Sequence, residues 1–116
     1  MLTFLCLVVA VTDGDGIRCA DGTRIRLAAI NARELHGTPC PRNRPCPPMS
    51  GNAARSTLQR LVAGRTIQCR KVGVSYHRVV ADCTVDARNV SCAMVAAGAA
   101  AWWPEYARRY RMRCGG

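Results

Sequence analysis

Asp13, Asp15, Asn31 and Glu34 are oxygen-bearing side chains that one hairpin can bring together. Asp21-Gly22 is the strongest two-residue hairpin signal in the chain, and it makes neighbours of residues whose numbers sum to about 43. Asp13 and Asp15 then fall beside residues 28–30. Asn31 and Glu34 lie a step further on, a gap that strand twist or a bulge can close. Asp15, Asn31 and Glu34 would form a corner of oxygen ligands, the kind a hard cation such as calcium takes with waters completing its shell. The plainer alternative is that Asp13-Gly14-Asp15-Gly16 is only a turn and Glu34 only a loop charge.

Arg26 stands on the strand leading into this corner, and Arg78 follows Tyr76-His77 on a later strand. Two arginines beside a cation and a carboxylate make a device for phosphate chemistry. Arginine and cation neutralise the phosphate, while the carboxylate positions or deprotonates an attacking water. The competing assignments are a rim salt bridge for Arg26, with Asp82 as partner, and an exposed strand charge for Arg78. The charge balance favours polyanions: 17 Lys+Arg against 7 Asp+Glu give +10, and all but Lys71 of the basic residues are arginine. A merely solvated basic surface would have the same composition.

The elements that must hold these residues follow from patterning. Length, 116 residues with 49% hydrophobic, sets one ordinary globular domain over 1–116 with a small aliphatic core. Residues 2–12 read as a first strand, 17–20 as a second and 24–30 as its hairpin partner. Residues 35–49 hold five prolines and form a long loop carrying Arg42 and Arg44, with Cys40–Cys46 as a clasp. A helix runs from an N-cap at Ser50 to a stop at Gly64, with Ala54, Leu58, Leu61 and Val62 on one face. Residues 65–72 and 76–85 alternate as two strands joined by a short glycine-containing turn, which could bring Cys69 near Cys83. Asn89 caps a second helix over 90–97, stopped by Gly98, and a basic aromatic tail follows. Five strands with a helix after the third predict an OB-fold five-stranded β-barrel with two to three helices, α+β or mainly β in class.

Eight cysteines without a short metal-binding knuckle favour disulfides over zinc, and so an oxidising compartment. The apolar run MLTFLCLVVAV has no basic residue before it and is too short to span a bilayer. It reads mainly as a buried strand, with export left open.

The segments VTDGDGIRC, GTRIRLAAINARE, SYHRVVADC and NVSCAMVAAGAA, in order over residues 7–101, resemble the staphylococcal-nuclease-like (thermonuclease) family. The resemblance implies a calcium-dependent nuclease on an OB-type barrel, hydrolysing phosphodiester bonds in DNA and RNA with low sequence selectivity. It places Asp15, Asn31 and the Ala32 carbonyl at the metal. It makes Arg26, Glu34 and Arg78 the catalytic residues and sets Tyr76 beside the bound nucleotide. Four positions depart from the family pattern. Asn31 replaces an aspartate, which weakens the metal site. Gly16 stands for a frequent threonine, His77 for glycine and Arg33 for proline. The tail after Tyr110 is short, and Cys114 could tether it, with Cys92 one possible partner. The expectation is a secreted or periplasmic monomeric hydrolase, without a stable membrane span. The alternative is a catalytically impaired OB-type module binding single-stranded nucleic acid through Trp102, Trp103, Tyr106 and the arginine-rich tail. For the two tryptophans, a hydrophobic seal on the barrel is the simpler assignment.

Overall fold

Cys6 and Val8 point inward between exposed Leu5, Leu7 and Val9, a period of two that only a strand can present, and a register shift after Val8 then brings Val11 inward. They belong to β1 (Thr3–Asp13) in the computed structural model, which describes residues 2–115. β2 (Gly16–Cys19) and β3 (Arg24–Leu27) follow as an antiparallel meander, paired from Gly16↔Arg26 to Arg18↔Arg24. The hairpin turn has Gly22 at φ +91° and Asp21 Oδ1 accepting from the Thr23 amide at 2.9 Å.

β3 is shorter than the expected 24–30. Ala29 adopts a left-handed conformation (φ 65°) and turns the chain, so β4 (Ile30–Asn31) pairs instead with a later strand. α1 (Gly51–Val62) starts as expected, with Ser50 Oγ accepting from the Ala53 amide at 3.2 Å. Gly64, at φ +72°, follows its end.

β5 (Thr66–Ser75) and β6 (Arg78–Val85) form the long hairpin. Its turn is not at Gly73. That glycine sits at a register shift within β5, and the turn is made by Tyr76 and His77 at φ 48° and 66°. Both central residues in the left-handed region give the mirror-image turn that matches strand twist. β7 (Arg88–Asn89) extends the sheet, and Asn89 caps α2 (Val90–Ala96) through the Cys92 amide at 3.0 Å. β8 (Ala101–Trp102) partners β4, and α3 (Pro104–Tyr110) closes the chain.

Pairing closes a ring, β3-β2-β1-β5-β6, in which only the β3–β6 contact is parallel, from Ile25↔Val79 to Leu27↔Ala81. This is the expected five-stranded OB-type barrel, with three helices. Closure removes the exposed sheet edges that would invite aggregation. Ile17, Ile25, Leu27, Leu58, Ile67 and Met94 fill the interior without solvent contact. A second, smaller cluster of Ala28, Ala29, Val80, Ala107 and Met112 seats α3 against the barrel wall.

All eight cysteines form disulfides: Cys6–Cys19, Cys40–Cys46, Cys69–Cys83 and Cys92–Cys114. The clasp on the proline-rich loop, the cross-strand bond and the tail tether are as anticipated. Cys6–Cys19, which staples β1 to β2, had no sequence signal beyond being the remaining pair. Four disulfides are compatible with an extracellular or otherwise oxidising compartment. Among the described residues, no helix is long and apolar enough to cross a membrane.

Candidate functional site

The first glycine-aspartate turn packs tightly under the helix. A Cβ on Gly14 would lie 2.6 Å from the Ala32 Cβ and 2.7 Å from the Ala54 Cβ, so only glycine lets the turn approach α1. That approach turns Asp15 inward, where it is buried. Its Oδ2 accepts from the Ala32 amide at 3.0 Å and pairs with Arg26 at 3.1 Å. Burial pushes the Asp15 carboxyl up to about 6, and neighbouring Asp13 adds to the rise while Arg26 opposes it. Asp13 is placed by its own Oδ1, which accepts from the Asp15 amide at 3.2 Å. Gly16 leaves room for this. A Cβ there would sit 2.7 Å from Asp13 Oδ1.

Arg26 therefore partners Asp15. Asp82, its alternative partner on sequence grounds, is taken by Arg70 at 3.0 Å and by the Asn89 amide at 2.7 Å. Asn31 is buried beside Asp15 on β4, and its Nδ2 donates to the Pro45 carbonyl at 2.8 Å. Arg33 Nε donates to the Pro47 carbonyl, also at 2.8 Å. Two adjacent side chains thus pin the proline-rich loop against the barrel.

Arg26 and Arg78 line one cleft of about 450 Å³. Tyr76 lies on its rim and is strongly exposed, at 82%. Trp103, Tyr106 and Tyr110 line the same cleft, with Trp103 edge-on to Tyr106 at 4.9 Å and Tyr106 stacked on Tyr110 at 5.8 Å. The two tryptophans have parted company. Trp102 packs against both hydrophobic clusters as a seal, while its neighbour faces the cleft.

Glu34 stands apart from this arrangement. It is exposed and lines a different hollow, together with Arg33, Gly37, Ser50 and Gly51. Its backbone is held there by Gly51, since any Cβ at that position would run into the Glu34 carbonyl. Arg44, Arg109 and the α3 tyrosines complete the arginine cleft; Arg44 in the proline-rich loop and Tyr106 with the arginine-rich tail stood out in the sequence, but nothing there set them beside Arg26 and Arg78. They come from a loop and a tail remote in sequence, and only the folded tail brings them to Arg78. Among the described residues, no three His, Cys, Asp or Glu side chains gather as a metal-holding group.

A closed OB-type barrel with an arginine- and aromatic-lined cleft is a form that nucleic-acid-handling modules take. Residues 24–113 match the staphylococcal nuclease homologue family, and the chain belongs to that family. Its members are typically nucleases. The matched span begins after the Asp13–Gly16 turn. No curated protein matches the chain.

Proposed function

We infer that the cleft binds the backbone of a nucleic acid and hydrolyses phosphodiester bonds in DNA and RNA. The observation that carries this is the convergence of Arg26 and Arg78 on one cleft beside Tyr76, in a chain of this family. Arg26, anchored by Asp15, and Arg78 would grip the nonbridging phosphate oxygens as forked donors and stabilise charge in the transition state. Tyr76, exposed on its turn, is the stacking surface for the neighbouring nucleotide. Glu34 is the group available to take a proton from the attacking water.

The donor set suits a hard cation in kind. Asp15 engages Arg26 and the Ala32 amide through Oδ2, and the side-chain carbonyl of Asn31 and the backbone carbonyl of Ala32 are the further oxygens of the set. It is short of charge, with one carboxylate where tight calcium sites use several. Asp15, Asn31 and Ala32 would hold calcium weakly, and the bound ion would supply Lewis-acid polarisation of the phosphate. Secretion and a monomeric state complete this reading, on the strength of the four disulfides and the family.

Glu34 favours a second reading. Glu34 lines a hollow other than the arginine cleft, so a binding module that grips a strand without cutting it is also consistent. Cleavage of labelled single-stranded DNA across a calcium titration separates the two. Calcium-dependent cutting that disappears with chelator and with Glu34→Gln supports the nuclease. Binding that persists without cutting at millimolar calcium supports the module.

A further inference from the structure

The loop clasped by Cys40–Cys46 has no place in the catalytic set, yet the barrel holds it firmly at one point. Asn31 Nδ2 donates to Pro45 and Arg33 Nε to Pro47, and Pro47 is fully buried. Within the clasp, the Arg44 amide donates to the Pro41 carbonyl at 3.2 Å, closing a turn. Pinned behind and turned within, the loop presents exposed Arg44 to the cleft that holds Arg26 and Arg78. Arg109 lines the same cleft from α3. Its guanidinium lies 5.0 Å over the Tyr106 ring, and among the described residues its ion pair is an exposed one with Glu105 at 3.6 Å. Such a pair is weak and leaves the guanidinium free for a stronger anion.

We propose that Arg44 and Arg109 form a second phosphate subsite, which holds a backbone phosphate of a single strand next to the one gripped by Arg26 and Arg78. Asn31 is the positioning residue for this subsite. Its amide N–H₂ donates to Pro45, and a carboxylate in its place would meet the carbonyl with a second acceptor. Asparagine at this position thus has a use that aspartate cannot serve. The strand is single because Trp103 and Tyr106 line the cleft beside these arginines, an aromatic surface of the kind that unpaired bases stack against. The assignment rests on reading the cleft as a polynucleotide site.

The test is binding of a fluorescent single-stranded oligodeoxynucleotide, with chelator present so that no cleavage occurs, followed against salt concentration. For single strands, each neutralised phosphate contributes about 0.7 to the slope of log K against log salt. Arg44→Ala and Arg109→Ala should each lower that slope by about 0.7. Arg42→Ala, in the same loop but outside the cleft, should lower it by less than half as much. Unchanged slopes for the first two, or an equal drop for Arg42→Ala, would overturn the subsite. Asn31→Ala should mimic Arg44→Ala, and the two together should lose little more than either alone. If Asn31→Ala does not fold, the Cys40→Ser/Cys46→Ser pair opens the clasp with Asn31 intact and should give the same loss. A folded variant of either kind that binds normally would refute the positioning role. If the unmodified protein binds no strand at all, the reading of the cleft itself fails. A strand bound with unaltered slopes removes only the second subsite.

Discussion

Gly51 carries no functional group, yet it decides where Glu34 stands. A methyl at position 51 would collide with the Glu34 backbone, which is less able to yield than a side-chain end. Gly51→Ala should therefore cost about 1–3 kcal/mol by overpacking, and it should shift the carboxylate as well. Denaturant unfolding and cleavage measured together would show both losses; a neutral result would mean that the Glu34 segment adjusts freely. Asn31 joins two interests at one atom pair. In the proposed site its oxygen would be a calcium ligand, while its nitrogen holds Pro45. Asn31→Asp supplies the missing charge, so calorimetric titration should find tighter calcium binding, by about tenfold or more. The same variant forfeits the Pro45 contact, so single-strand binding measured in chelator should weaken.

At the level of elements, α3 is held by few but well-defined contacts. Arg70 on β5 reaches Asp82 at 3.0 Å and the Tyr110 carbonyl at 2.9 Å, tying the helix end to the barrel wall. Arg70→Ala should cost about 1–2 kcal/mol and loosen α3, seen as faster amide exchange over Pro104–Tyr110 and a raised KM. An unchanged exchange rate would place the anchor in the Ala107 and Met112 packing instead. The barrel strands and both capped helices were legible because each has a local signal: period-two burial, Asp21-Gly22, Ser50 and Asn89. The hairpin turn at Tyr76-His77 was not, because two bulky L-residues occupy left-handed conformations that ordinarily announce themselves with glycine. Gly73 drew attention away from it by marking a bulge. At the site, Arg26 and Arg78 were readable from strand position. That Arg44, Tyr106 and Arg109 share their cleft was not, since the three converge only through tertiary folding. Nor could spacing along the chain show that Glu34 faces a separate hollow.

For the molecule as a whole, the barrel is small and the disulfides supplement its core. In the chain-entropy picture, closing a loop like Cys69–Cys83, with a separation of 14 residues, removes about 3 kcal/mol of unfolded-state freedom. Replacing both cysteines with serine should lower the melting temperature by on the order of 10 °C, read by scanning calorimetry under oxidising conditions. A shift of only a degree or two would mean the β5–β6 hairpin is already ordered in the unfolded ensemble.

The pairing order carries one more consequence. The first, third, fifth and seventh cysteines are each bonded to the next one along the chain, so the four loops neither overlap nor nest. Eight cysteines allow about 105 arrangements, and random oxidation of the full chain would rarely find this one. A chain delivered amino end first escapes that lottery. Every odd-numbered cysteine in the series meets its native partner before any other free thiol arrives. Oxidation during vectorial delivery therefore makes no wrong bond that needs reshuffling. Refolding of the complete reduced chain should depend on a disulfide isomerase, whereas export past an oxidase alone should yield the native set, as peptide mapping of the two products would reveal.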